Sequence, residues 1–526
     1  MGSDLAGKRF DIIVVGSGVG GLVAGLVAAR AGQNVLVVEA KKQLGGYCNP
    51  FKRGKYRFDP GVHYIGECGP GQLFHRLVDS LDLSSKLQFR ELSPDGFERI
   101  VFPGYEITMP RGVDLYRERL LRDFPHERDG IDRFFDLLAQ FRAAMKVIQK
   151  INGLPGAIDA VPHVPFLLRY GRATYAELLN PIIKDPLLRA VLAAQSGDYG
   201  LPPRRASALI GLGLVDHYIR GAYFPVGGSG AIRDALVDGI RAHGGTLVRN
   251  TPVERILLEG GAVTGIRTAA GEHIHARTVI SNADAAHTYS TLIGEEHLSF
   301  LLRRKVQKNH LSVASICLFL GTDLDLTQHG MTDANIWSYP TTDLDRFYDP
   351  IYEGKMPDQD FFFLSSPSLK DPGHGLPGKD SLELVTLAPF EPFARWEGGK
   401  SMRRGEEYES LKQSLYDRYI RAAERFIPGL SSHIQVAEVA TPVTNVTYAT
   451  SPQGAIYGPE ATPDQMGPFR FGIKGAFDGL YFCGAAVHGG GVVPAALSGA
   501  QAARAAVKWS ESVRPLRAPV PAPAGA

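Results

Sequence analysis

Apolar and polar positions fall into distinct textures along this chain. Near the start, the apolar run FDIIVV at residues 10–15 meets a Gly-rich turn, Gly16-Ser17-Gly18-Val19-Gly20-Gly21. A helix pattern follows to Ala31, then a second apolar run at 35–38 that ends in Glu39. Short unbroken apolar runs on either side of a helix mark strands buried on both faces, so this region is predicted to form a βαβ unit. Residues 71–225 read mostly as helix: Ile131, Phe134, Phe135, Leu138, Phe141, Met145 and Ile148 fall on one helical face, as core packing requires, and a Pro-rich break follows at 154–165. A second Gly-rich loop, Gly227-Gly228-Ser229-Gly230, opens a predicted helix at 231–243, and strands are predicted at 246–249, 253–258, 262–268 and 278–280. Residues 286–440 mix strand-like runs (312–320, 361–365, 382–387) with a charged helix at 406–426. A third block of strand, Gly loop and helix occupies 479–484, 489–491 and 492–509, and a Pro/Ala-rich stretch at 514–526 is expected to be a disordered tail.

Composition narrows the classes. Of 526 residues, 44% are hydrophobic and 21% charged, which excludes a disordered, collagenous or coiled-coil chain. The 57 basic and 55 acidic residues nearly cancel, so no electrostatic footprint for nucleic acid is present. Cys48, Cys68, Cys317 and Cys483 form no CxxC pair, which argues against a disulfide scaffold and a zinc site and for a reducing, cytoplasmic setting with no bound metal. The start Met1-Gly2-Ser3-Asp4-Leu5-Ala6 has neither a secretory hydrophobic core nor the Ser or Thr of a myristoylation pattern. No uncharged apolar run is long enough to span a bilayer, so any membrane contact is expected to be peripheral. Residues 161–172 join apolar, Pro-broken sequence to Arg169 and Arg172; this fits a peripheral membrane contact and a buried connector equally well.

The Gly-rich turn has the context that gives GxGxxG meaning. Gly16 makes the turn, Gly18 lets backbone approach a pyrophosphate, Gly20 and Gly21 open the helix close to the strand, and Glu39 can hold both ribose hydroxyls. Gly45-Gly46, soon after Glu39, suits a chain running along an extended FAD and has no counterpart in the needs of a nicotinamide enzyme. The N-terminus of the last helix would face the flavin pyrimidine ring and stabilise its anionic reduced form by roughly 0.3–2 kcal/mol. No second fingerprint of this spacing exists for a nicotinamide cofactor, so electrons are expected to come from, or leave to, an unidentified carrier.

The motifs FDIIVVGSGVGGLVAG, Leu44-Gly45-Gly46, FDPGVHYIG at 58–66, Gly197-Asp198-Tyr199-Gly200, GAYFPVGGSG, Val279 to Asp284 and GLYFCGAAVHGGGVVPAALSGAQAA together resemble the phytoene desaturase, carotenoid isomerase and retinol saturase superfamily, and most of all its retinol saturase-like branch. The resemblance runs from about Phe10 to Trp509. It implies an α/β fold with a Rossmann-type FAD-binding domain assembled from 1–70, 226–285 and 441–512. A helical substrate segment at 71–225, which could also face a membrane, and a mixed-sheet substrate segment at 286–440 are inserted between them. It further implies adenine contact at Val253, flavin contact at Gly484, Ala485, Gly491 and Val492, and a long apolar polyene or isoprenoid lipid as substrate. Tyr47 stands where many relatives have Arg, so flavin contact is expected to differ there.

Saturating a C=C bond requires a hydride donor, a proton donor and exclusion of water. His63 and Tyr64 are the proton-donor candidates, set against a role in merely lining the tunnel, and His488 is a second candidate. Cys48 and Cys483 are read as structural thiols. The activity implied is retinol saturase-like reduction, with desaturation, cis/trans isomerisation and non-catalytic lipid binding as alternatives.

Overall fold

The first two apolar runs pair as the pattern requires. In the computed structural model, which describes residues 5–148, 161–371, 373–398 and 404–512, the strands Ile12–Val15 and Val35–Val38 run parallel, joined by the helix Val19–Arg30. They lie in a five-stranded sheet in the order Thr246–Val248, Val35–Val38, Ile12–Val15, Thr278–Ser281, Leu480–Phe482, every pairing parallel. Alternation along one strand shows why the run is apolar throughout. Ile12 and Val14 pack under Val19–Arg30, Ser229–Ala242 and Val492–Ser512, whereas Ile13 and Val15 pack against the antiparallel meander Val253–Glu259, Ala262–Thr268, His273–His275. The result is three layers: helices, parallel sheet, meander.

A second, seven-stranded sheet has the order Ile434–Ala440, Ala314–Thr322, Asp380–Ala388, Phe362–Ser365, Asn335–Ser338, Glu98–Phe102, Tyr105–Met109. Its pairings are antiparallel except that between Asn335–Ser338 and Glu98–Phe102. Phe362 and Leu364 face a core shared with the helix Glu406–Ala423, while Phe361 and Phe363 face the helices Arg128–Ile148, Tyr175–Leu179 and Ala208–Tyr218. The apolar stripe of Arg128–Ile148 meets this second core at Ile131 through Phe141 and runs out at Ile148, which is exposed.

Two sequence expectations need correction. The segment 71–225, read mostly as helix, also supplies Phe89–Glu91, Glu98–Phe102, Tyr105–Met109 and Ala222–Pro225 to sheets, and the Pro103-Gly104 turn between two alternating runs was the overlooked hairpin signal. The helix expected at 231 begins at Ser229, because the buried carboxylate of Asp59 accepts its N–H at 2.7 Å and holds the first turn from a distant segment. The tail at 514–526 and residues 154–160 of the Pro-rich break lie outside the described residues.

The helices Val19–Arg30 and Val492–Ser512 touch backbone to backbone: a Cβ built on Gly499 would lie 2.1 Å from the Gly20 carbonyl oxygen. Gly499→Val should therefore cost on the order of 1–3 kcal/mol or more and lower the calorimetric melting temperature by several degrees. An unchanged melting temperature would mean the helices do not approach this closely.

Candidate active site

One cavity of about 490 Å³ runs from the end of the second strand, at Glu39, to the face of the seven-stranded sheet. Its first half is a backbone cradle. Gly16, Gly18 and Gly20 line it, and no side chain caps the helix beginning at Val19, so its first N–H groups are open to an anion. Asn282, just after Thr278–Ser281, is wedged among these glycines: Cβ atoms built on Gly18, Gly20 and Gly484 would lie 2.8, 2.7 and 2.6 Å from its side-chain amide. Gly45 pairs with Gly18 in an isolated bridge, and Gly46, at φ +57°, would place a Cβ 3.2 Å from the Gly18 Cα. Glu39 accepts the Ser17 N–H at 2.9 Å, the Ser17 hydroxyl at 2.6 Å and the Lys41 N–H at 2.9 Å, which fixes its carboxylate at the cavity wall.

Of the residues singled out in the sequence, Gly16, Gly18, Gly20, Glu39, Gly45, Gly46, His63, Val253, Gly484, Ala485, Gly491 and Val492 all line this cavity. Gly21 does not; a Cβ there would meet the Gly16 carbonyl oxygen at 2.1 Å, so its role is packing of helix on strand. His488 is not brought in: it is exposed, with its Nε2 2.9 Å from the Gln501 Oε1. Tyr47 lines the cavity with its hydroxyl 3.1 Å from the Ser451 hydroxyl, and burial raises its ionisation to about 12. Burial likewise pushes the Cys48 thiol up to about 12 and the Cys483 thiol upward, which keeps both un-ionised and unreactive.

The second half is an apolar arm. Trp337, Phe361, Phe363, Val385 and Leu387 line it, all on the sheet face that looks toward the helices. His63 stands in the wall, its Nδ1 2.8 Å from Glu383 Oε2, and its backbone carbonyl accepts from the buried Lys370 ammonium at 2.7 Å. Burial lowers Lys370 to about 7, opposed by Glu383, Asp333 and Glu98. Tyr64 lies behind the wall, stacked on Tyr218 at 4.2 Å, with its hydroxyl 2.5 Å from Asp198 Oδ2. Asp198 itself lines the cavity and was missed by sequence reasoning; the available signal was a lone acid in the otherwise uncharged run 190–203. Burial, then the nearby Glu98 carboxylate, push the Asp198 carboxyl up to about 8 against the pull of the Tyr64 hydrogen bond.

Residues 19–507 match the family described as flavin containing amine oxidoreductase. The chain belongs to this family. Among relatives of this flavin oxidoreductase, the all-trans-retinol 13,14-reductase of Danio rerio is 29% identical over 86% of the chain and 78% of its own length. The chloroplastic prolycopene isomerase of Daucus carota is 28% identical over 94% and 80%. An oxidoreductase structure from Methanosarcina mazei superposes with a TM-score of 0.61 at 17% identity, over 93% of this chain and 99% of that one, and shares the fold. The cofactor is FAD. The cradle fits it: glycines whose side chains would fill the space line a path from an open helix N-terminus to an anchored carboxylate. Glu39 would hold the ribose, residues 18–20 the pyrophosphate, Val253 the adenine, and Gly45, Gly46 and 484–492 the flavin.

In this flavin oxidoreductase Glu39→Ala strips two backbone N–H groups of their acceptor and should lower flavin occupancy of the purified protein, read as visible absorbance per chain. Gly18→Val, whose side chain must displace Asn282, should abolish it; full occupancy would place the pyrophosphate elsewhere.

Proposed function

We propose that this chain uses FAD to add two hydrogens across a carbon–carbon double bond of a long apolar isoprenoid polyene. The observation that carries the reading is the continuity of the cofactor cradle with the apolar arm of Trp337, Phe361 and Phe363, which suits a flat unsaturated chain held against the flavin. The names of the relatives support the substrate class, since retinol and prolycopene are both polyenes. In this reading 1–70, 226–285 and 441–512 form the FAD-binding part, and 71–225 and 286–440 form the substrate part.

When bound and reduced, FAD supplies a hydride to one carbon of the double bond. The chain's own residues supply the rest. The aromatic wall excludes water, and the cradle fixes the cofactor without using side chains that would crowd the substrate. Glu383 and Lys370 hold His63 from two sides, which sets its ring where the cradle meets the arm. His63 and Tyr64 remain the two residues the sequence offers for the proton; the first reaches the cavity itself, the second through Asp198.

The test is the mass of polyenes extracted after anaerobic incubation with protein whose flavin is oxidised in one set and chemically reduced in another. A gain of two hydrogens with reduced flavin is expected. A loss with oxidised flavin would instead make the protein a desaturase, altered retention at unchanged mass an isomerase, and no change at all a binding protein. His63→Ala, run beside it, removes the ring that Glu383 holds where the cradle meets the arm and should keep its flavin while slowing turnover at least about tenfold; an unchanged rate would leave His63 as tunnel lining.

We also propose that the substrate is taken from a membrane surface. The helix Val164–Tyr170 buries Phe166 and Tyr170 but leaves Leu168 81% exposed beside Arg169 and Arg172, and Val161 and Val164 are exposed next to it. Apolar tips ringed by cations suit an anionic bilayer surface. Among the described residues no helix is long and apolar enough to cross a membrane. Cosedimentation with anionic phospholipid vesicles should fall sharply in Leu168→Glu; binding equal to wild type would remove this surface from the reading.

A further inference from the structure

Three carboxyl groups line the cavity among the described residues, and they are not equivalent. Glu39 is held by the Ser17 and Lys41 N–H groups, and Asp284 accepts the His287 N–H at 2.8 Å. Asp198 is in the apolar arm and is met by the Tyr64 hydroxyl. Its position there is set by its neighbour: a Cβ on Gly197 would lie 2.4 Å from a Trp337 ring carbon and 3.3 Å from Phe361, so glycine lets the segment lie flat against the rings that form the wall. Behind it sits a second buried carboxyl, Glu98, which receives the Trp337 Nε1–H at 3.0 Å and the Gln195 amide at 2.9 Å. Burial raises both carboxyls, but Glu98 is offset by the Trp337 and Gln195 N–H donors and by Lys370, whereas Asp198 is met by the single Tyr64 hydroxyl. With more donors on Glu98, Asp198 is the better placed of the two to hold a proton.

We propose that Asp198 is the catalytic acid, delivering the proton to the carbon that does not take the hydride, and that Tyr64 is the positioning residue that aims it. The proposal rests on the saturation reading above. The π bond of the substrate opens; hydride from the reduced flavin makes one C–H bond and the Asp198 proton makes the other. Both electrons come from the flavin. Asp198 is left as a carboxylate and regains its proton from solvent as the product leaves. The sign of the pH dependence follows. The acid form prevails below about 8 and is lost above it, so the rate of proton-coupled turnover should fall as pH rises through that value.

Other ionisable groups face this carboxyl and set where it titrates. Tyr64 stabilises its anion, and Glu98 opposes it. Tyr218, Tyr457, Tyr339 and Tyr348, from four surrounding segments, are raised by burial and by Asp198 itself, so they stay neutral across the range. Lys370 faces Glu98 and lies 5.9 Å from the Tyr64 ring centre.

Two measurements on the flavin-loaded protein test the proposal. In a single turnover, reduced enzyme is mixed with all-trans-retinol or another polyene that wild type reduces, and flavin reoxidation is followed against pH. Asp198→Asn should slow it about 10²–10⁴-fold while oxidised enzyme still binds the polyene. Glu98→Gln should move the alkaline limb to lower pH and Tyr64→Phe to higher pH, shifts that a merely structural role would not produce in opposite directions. The second measurement needs no turnover: the infrared difference between wild type and Asp198→Asn should contain a protonated-carboxyl carbonyl band near neutral pH that disappears as pH rises through about 8. Wild-type rate in Asp198→Asn, or absence of that band, overturns the acid assignment and leaves the saturation reading standing. Failure of wild type to add hydrogen to any polyene overturns that reading, and the acid role falls with it even if the band is present.

Discussion

The site depends on how closely backbone can gather around the amide of Asn282. Gly18, Gly20 and Gly484 come from segments more than two hundred residues apart at their extremes, yet each lies where any side chain would strike that one amide. The wedge ties the first helix, the strand Thr278–Ser281 and the last Gly loop into one wall. The open helix N-terminus and the path past Gly45 and Gly46 have meaning only because that wall is thin. The glycine-to-glycine contact of Val19–Arg30 with Val492–Ser512 brings the outer helices close enough to permit it.

Upon this frame the second sheet builds the apolar arm. Period-two alternation sends Phe361 and Phe363 to one face and Phe362 and Leu364 to the other, so the same short strand seals a core and lines the arm. The Lys370 ammonium joins the His63 carbonyl to Asn335 and Ser365 of that sheet, and Glu383 joins it to the His63 ring. A buried ammonium there is costly unless its donors are met, and the His63 carbonyl, Asn335 and Ser365 together meet them. The family's scaffold is thus compatible with different substrates, because the cradle is made mostly of backbone and the arm mostly of side chains.

The cradle was legible in the sequence and the arm was not. A GxGxxG turn between two doubly buried strands, with a carboxylate at the end of the second, is a local pattern, and the strand–turn–helix–strand unit from Ile12 to Val38 forms as it indicates. The hairpin Glu98–Phe102 and Tyr105–Met109 was hidden in a stretch that reads as helix, and the strand Asn335–Ser338 that joins Glu98–Phe102 to the rest of the sheet lies far along the chain. His488 looked suitable because it neighbours the Gly loop, but the turn at Gly489, φ +110°, leaves it outside. Asp198 could be seen as a lone acid, yet its character comes from Tyr64, Glu98 and Trp337, three residues whose meeting no spacing reveals.

The order of strands in the parallel sheet also has a consequence for biosynthesis. Thr278–Ser281 pairs on one side with Ile12–Val15 and on the other with Leu480–Phe482, which is synthesised after the other four strands of this sheet. Until then its outer edge is an unpaired, fully buried-type strand, and both Gly484 and the Val492–Ser512 helix are missing from the wall. A nascent chain can close its β-meander and much of its seven-stranded sheet early, but its wall around Asn282 still lacks Gly484. Closure of the cradle therefore waits on the block that begins at Leu480, and a chain stopped before it leaves an adhesive edge for chaperones or proteases to find.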